Sequence, residues 1–226
     1  MNAVLDLVKV VYDPGAVFER LREKPSFWRP FIAICVVQLV LGVLQLPYTK
    51  AAMAAQFAQM PARAGGGAPD PSKFATIGLL FVPIGLLLLL LISAALLWVL
   101  VSVFAGDAKF ATLLSVATYV GITFVLLSVA GLATLMLKGV QGITSPADLQ
   151  PALGLDLLVP EAGRFTTALL KAFNPFSIWG VILTAIGIQT THRTSKGTAY
   201  TVAAVAFVIG TLLGAGLAML GPGAKS

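Results

Sequence analysis

The sequence offers few side chains with which to do chemistry: 226 residues contain one histidine, His192, and one cysteine, Cys35. A lone histidine excludes the multi-histidine sites that hold most catalytic zinc and iron. A lone cysteine cannot close an intramolecular disulfide. A Ser–His or Cys–His nucleophile pair would have to be built on His192, and no serine or acid in the short segment around it has the company such a pair needs. The run Gly65-Gly66-Gly67-Ala68-Pro69-Asp70-Pro71 is no phosphate loop, because no Gly-Lys-Ser/Thr and no strand context follow it. The expectation is a protein that is not an enzyme and carries no catalytic residue, cofactor or metal.

Two weaker patterns remain. Thr112, Ser115, Tyr119 and Thr123 recur at three- and four-residue spacing on one helical face. They read either as the polar lining of a small-solute transporter or channel, or as interhelical hydrogen bonding worth about 0.6 kcal/mol per contact. With no charge in the stripe, the second reading is preferred. Ala206, Gly210, Gly214 and Ala218 repeat every four residues and include a GxxxG pattern. Small residues on one face let another helix backbone approach closely. The contact expected is inside the bundle, where neighbours are already supplied; one between protomers is the alternative, and homo-oligomerisation stays open.

The elements that position these residues follow from composition. Hydrophobic residues make up 58% of the chain and charged residues 11%, where a soluble domain carries about 25% charged. The apolar residues are clumped into runs near or above the roughly 20 residues that cross a bilayer. The reading is an all-α, polytopic membrane helical bundle. Five spans are expected, at about 30–47, 74–104, 110–136, 174–190 and 199–220, within a membrane domain of 30–220 followed by a 221–226 tail. The second, 31 residues long, would reach roughly 46 Å against a core of about 30 Å, so a kink is expected at Pro83. Between these boundaries no span contains Asp, Glu, Lys, Arg or His, which argues against proton relays and ion paths.

Residues 1–29 are amphipathic rather than spanning. Asp6, Lys9 and Asp13 fall on one helical face, with Val4, Leu5, Val8 and Val11 around the remainder. Asp13-Pro14 reads as an N-cap and first-turn proline opening a second helix, with Val17, Phe18 and Leu21 opposed by Glu19, Arg20, Arg22 and Glu23. Such a pair fits the plane of the membrane interface or packing beneath the bundle. It is too long and too acidic for a cleaved signal peptide.

The net charge of +6 is spread in ones and twos at the edges of apolar runs, as topology requires, and not in a stripe; nucleic acid is excluded as a partner. With the N-terminus inside, eight Lys and Arg fall on inner segments and seven on outer ones. The inner eight occupy fewer residues in total than the outer seven, and short loops weigh most in the positive-inside rule. The expected topology is a multi-pass cell-membrane protein with a cytoplasmic N-terminus and its C-terminus on the opposite side.

Several short motifs then carry a resemblance. Asp13-Pro14-Gly15-Ala16-Val17-Phe18 followed by Trp28-Arg29-Pro30, Phe104-Ala105-Gly106 followed by Phe110, and Asn174-Pro175-Phe176-Ser177-Ile178-Trp179 with Gly187 beyond together resemble bacterial members of the Yip family of Ypt/Rab-interacting membrane proteins. The resemblance covers nearly the whole chain. It implies a five-helix bundle with a cytoplasmic N-terminus, in a bacterial inner membrane. Eukaryotic members bind prenylated Rab-type GTPases, but their Asp-Leu-Tyr-Gly-Pro motif is missing here, so GTPase binding is not carried over. Some bacterial relatives accompany ABC-type export systems. The resulting expectation is a non-enzymatic membrane adaptor or scaffold that contacts the lipid bilayer and another membrane protein, with an ABC-type exporter as one candidate.

Overall fold

A computed structural model describes residues 3–58, 70–150, 153–159 and 162–219. The glycine run up to Pro69, the loop prolines Pro151 and Pro160, and the tail lie outside the described residues. The helices are α1 (Ala3–Lys9), α2 (Pro14–Glu23), α3 (Trp28–Ala58), α4 (Pro71–Leu80), α5 (Val82–Ala105), α6 (Phe110–Val120), α7 (Ile122–Lys138), α8 (Arg164–Ala172), α9 (Pro175–His192) and α10 (Lys196–Ala218). No strand occurs among the described residues. α3, α5, the combined α6–α7 stretch and α10 are long and apolar enough to cross a membrane. A fifth span is counted if α8 and α9, bent by 56° at their junction, are taken as one. The protein is an all-α, multi-pass membrane helical bundle.

Prolines and glycines explain where these helices break. Pro83 lacks the N–H that would bond Leu79, and the break between α4 and α5 falls at Phe81, between the two residues. Pro47, by contrast, does not end its helix: α3 continues to Ala58, beyond the boundary expected at Pro47. An alanine-rich stretch follows, and Thr49 Oγ1 donates to Gln45 O at 3.2 Å. Strong helix formers and local hydroxyl bonding let a membrane helix absorb a proline. At the end of α5, Gly106 has φ +90° and its N–H returns to Val101 O at 3.1 Å. That left-handed conformation makes the tight turn into α6, and glycine adopts it without Cβ strain.

The chain divides into two compact units. One comprises Ile34–Leu87 and Val125–Pro151. In it Ala52, Leu135 and Ile143 form a small core with Tyr48 and Leu149 beside it. Its loop is fastened by Asp148, which accepts from the N–H groups of Thr144 and Ser145 at 2.9 and 2.8 Å and from both hydroxyls at 3.1 Å. Asp148 also pairs with the Lys138 ammonium.

The Lys138 ammonium, followed by those donors, holds the Asp148 carboxyl well below the usual carboxylate range. A depressed folded pKa contributes stability above the ordinary aspartate value of about 3.9, and that contribution is lost as pH falls below it. We therefore expect amide-exchange protection over residues 143–149 to fall on acidification below about pH 4, and at neutral pH in Asp148→Ala. Unchanged protection in the variant would show that the loop is held by other contacts.

The other unit comprises Met1–Ala33, Leu88–Phe124 and Ala152–Ser226. Its core joins Leu97, Leu100 and Val101 of α5 to Leu113 of α6, Ile188 of α9, and Ala199 and Val202 of α10. α9 is the central element, packed against α2, α6 and α10. Asn174 starts it from a buried position: its Oδ1 accepts from Ser177 N–H and its Nδ2 donates to Lys171 O, both at 2.9 Å. Pro175 occupies the first turn, where its missing N–H costs nothing.

Candidate functional site

The feature of this second unit that departs furthest from an ordinary bundle is where it holds its N-terminal helices. α2 packs against both α9 and α6. Val17, Phe18 and Leu21, spaced for one helical face, are buried there, and Phe18 is fully enclosed. The groove exists because α9 has no side chain at Gly187. A Cβ at that position would stand 2.6 Å from Val116 Cγ1 and 3.3 Å from the Phe18 ring. One α9 face, seven residues apart, repeats the device, since a Cβ at Gly180 would stand 3.2 Å from Thr123 Oγ1. In lipid there is no hydrophobic drive between helices, so such close approach supplies much of the association energy.

α1 joins this joint with its expected faces exchanged. Asp6, read as part of the polar face, is 7% exposed, while Val4, Leu5 and Val8 are 51–63% exposed. The reason is Arg20 on α2, whose Nη2 reaches Asp6 Oδ1 at 2.5 Å. A carboxylate can turn inward when a guanidinium meets it there, whereas an unpaired one would be costly. Leu7 and Val10 are buried beside it. Asp13 occupies the position before α2, as expected, but its side chain makes no capping bond.

Tyr119 of α6 points toward this pair. It is fully buried, and its hydroxyl faces the Ser26 side chain without a well-aligned hydrogen bond. The polar groups that face it are those of Asp6, Ser26 and Arg20. A buried polar group without a partner costs about 1–3 kcal/mol. Tyr119→Phe is accordingly expected to hold or raise the melting temperature in detergent; a clear drop would reveal a hydrogen bond that the static geometry lacks.

The other residues singled out by the sequence separate into two groups. Thr112, Ser115 and Thr123 are buried with Tyr119. Ser115 Oγ donates to Ala111 O at 2.9 Å and Thr123 Oγ1 to Val120 O at 3.0 Å, within their own chain turn. Gly210 and Gly214 of α10 are exposed, and a Cβ at either would meet nothing within 4 Å. Ala218 is exposed as well and Ala206 half-buried. The face expected to pack inside the bundle does so at Ala206, which lies against the core of α5, α6, α9 and α10, and is open from Gly210 onward. The seven-residue spacing of Gly180 and Gly187 is the signal in the sequence for this shared face.

Trp28 is exposed and contacts Phe27 and Phe31 edge-on, at centroid distances of 5.0 and 6.2 Å, at the start of α3, with Pro30 buried behind them. Phe110 is exposed at the head of α6, and Phe176 and Trp179 are half-buried in the first turn of α9. His192 ends α9, and its Nε2 accepts from Lys109 N–H at 3.3 Å, tying the α5–α6 turn to the α9–α10 turn. Among the described residues no three His, Cys, Asp or Glu side chains gather as metal ligands would. The arrangement is a docking joint: a short helix pair, ion-paired within itself, seated in a groove that Gly187 opens.

A family model described as the Yip1 domain matches residues 8–218. Among curated proteins, "Membrane protein YknW" of Bacillus subtilis (strain 168) is 28% identical over 208 residues, covering 90% of this chain and 85% of that relative. No solved structure matches the chain.

Proposed function

The chain belongs to the Yip1 domain family, and from that premise we propose that it is a non-enzymatic adaptor which engages another membrane protein through its N-terminal helix pair. The observation that carries this reading is the joint itself. α2 spends its apolar side on α6 and α9, yet the pair still presents an outward apolar face at Val4, Leu5, Val8 and Tyr12. Exposed charges at Glu19, Glu23 and Lys24 lie nearby. Large exposed apolar residues rimmed by charge suit a protein partner. The ion pair and the glycine groove fix that surface in advance, which lowers the ordering cost of binding.

The lysine and arginine count supports a cytoplasmic site for the pair, with the C-terminus across the membrane. A partner of the ABC-exporter class fits an accessory protein whose apolar runs 30–47, 74–104, 110–136, 174–190 and 199–220 hold no Asp, Glu, Lys, Arg or His. The adaptor reading is favoured over a solute path lined by Thr112, Ser115, Tyr119 and Thr123, because the Ser115 and Thr123 hydroxyls are already engaged with backbone carbonyls.

Photocrosslinking tests the proposal. With benzoylphenylalanine replacing Tyr12, irradiation of native membranes should give a discrete adduct with a second membrane protein, and the same replacement at buried Leu113 should not. A chain that remains without adduct at Tyr12, in membranes from cells expressing it at native level, would overturn the adaptor reading.

A further inference from the structure

Among the three short 3-10 turns described between α7 and α9, the last, Leu155–Leu158, has its polarity reversed. Its aliphatic side chains point outward: Leu157 is 62% and Leu158 77% exposed, with Leu155 and Val159 exposed beside them. Its acid points inward. Asp156 is 8% exposed, and its Oδ1 accepts from Gly154 N–H at 3.1 Å. A water-facing turn would place these residues the other way round, since leaving aliphatic area in water forfeits about 25 cal/mol per Å².

The turn is also held in place. Leu155 N–H donates to Phe173 O at 3.2 Å. Gly154 lies so close to the C-terminal turn of α8 that a Cβ would stand 2.8, 3.0 and 3.1 Å from the carbonyl oxygens of Leu170, Lys171 and Phe173. Those residues immediately precede Asn174, the cap of α9. The turn is therefore tied to the point where that apolar helix begins, which in a membrane is the headgroup level. α8 leaves this point at 56° to α9, and Phe165 and Phe173 on it are exposed too. An aliphatic patch fixed at headgroup level has one apolar medium beside it.

We propose that Leu155, Leu157, Leu158 and Val159 form a non-spanning anchor that inserts into the acyl region of the adjacent leaflet. The loop joining α7 to α9 thus returns to the bilayer, and α8 with its attached turn rides on the membrane surface as an interfacial platform.

The single cysteine makes the test direct. In a Cys35→Ala background, Leu158→Cys is labelled with the environment-sensitive dye NBD and the full chain is reconstituted at high dilution into phosphatidylcholine–phosphatidylglycerol vesicles. Glu19→Cys serves as the water-facing reference. The expected result is emission at position 158 blue-shifted from the reference, and quenched several-fold more by a lipid-borne nitroxide than by aqueous iodide. Red-shifted, iodide-quenched emission would place the turn in water and overturn the anchor. Shielding from both quenchers would mean that protein, not lipid, covers the patch, and would overturn it equally.

Discussion

Phe18→Ala is expected to lower stability by about 3–5 kcal/mol, the range for deleting a fully enclosed phenylalanine whose site cannot collapse. The Phe18 ring sits against α9 at Gly187, and Val17 and Leu21 on the same face are also buried. Removing the ring leaves a cavity at the centre of the face that holds a short helix onto the bundle. A ten-residue helix is marginal when isolated, so the loss should appear as undocking of residues 1–27 before the spans themselves melt. Limited proteolysis in detergent micelles checks this: cleavage between Lys24 and Trp28 should rise steeply in the variant, while the fragment beginning near Trp28 stays resistant. Equal cleavage rates in variant and parent would mean that the ring contributes little and that Val17 and Leu21, buried on the same face, hold the segment.

Gly187→Ala tests the same joint from the opposite wall. A methyl there meets Val116 Cγ1 at 2.6 Å, a distance that real atoms do not adopt, and β-branched Val116 has little rotamer freedom with which to retreat. Overpacking of this kind costs about 1–3 kcal/mol. The Phe18 ring, 3.3 Å away, would have to shift as well, so the variant should lower the melting temperature and loosen the N-terminal pair together. Val116→Ala should relieve the clash. The double variant is expected to be more stable than the sum of the two single losses implies, with a coupling of about 0.5–3 kcal/mol. Additive losses would show that helix propensity or backbone shifts, and not this contact, set the effect.

These two substitutions touch residues far apart in sequence, Phe18 beside the Asp13-Pro14 motif and Gly187 beyond Asn174-Pro175, which the fold brings into contact. Both belong to the patterns that carry the Yip resemblance. The contact gives a physical account of why an amphipathic segment and a glycine in a spanning helix occur together: one supplies the ring and the other the space for it. Asp6–Arg20 adds a charged fastening that is partly shielded from water. Breaking one partner of such a pair leaves the other uncompensated, so charge holds α1 to α2 while packing holds α2 against α6 and α9.

Sequence alone was enough to establish an all-helical chain in lipid, the proline that opens α2 and the family. Each of these is written in local composition or in short-range spacing: apolar runs measure themselves against bilayer thickness, and caps and turns act within a few residues. Tertiary structure decided what short-range patterns do not encode. It turned Asp6 inward, because the Arg20 that makes this affordable comes from a different helix. It assigned close helix approach to Gly180 and Gly187 and left Gly210 and Gly214 open, because a small residue only permits contact and a neighbour must be there to make it. It carried α3 past Pro47, and it faced the aliphatic side chains of the Leu155–Leu158 turn outward with Asp156 beneath them. Partners distant in the chain settle each of these outcomes, and a periodicity read along one helix contains no information about which helix lies beside it.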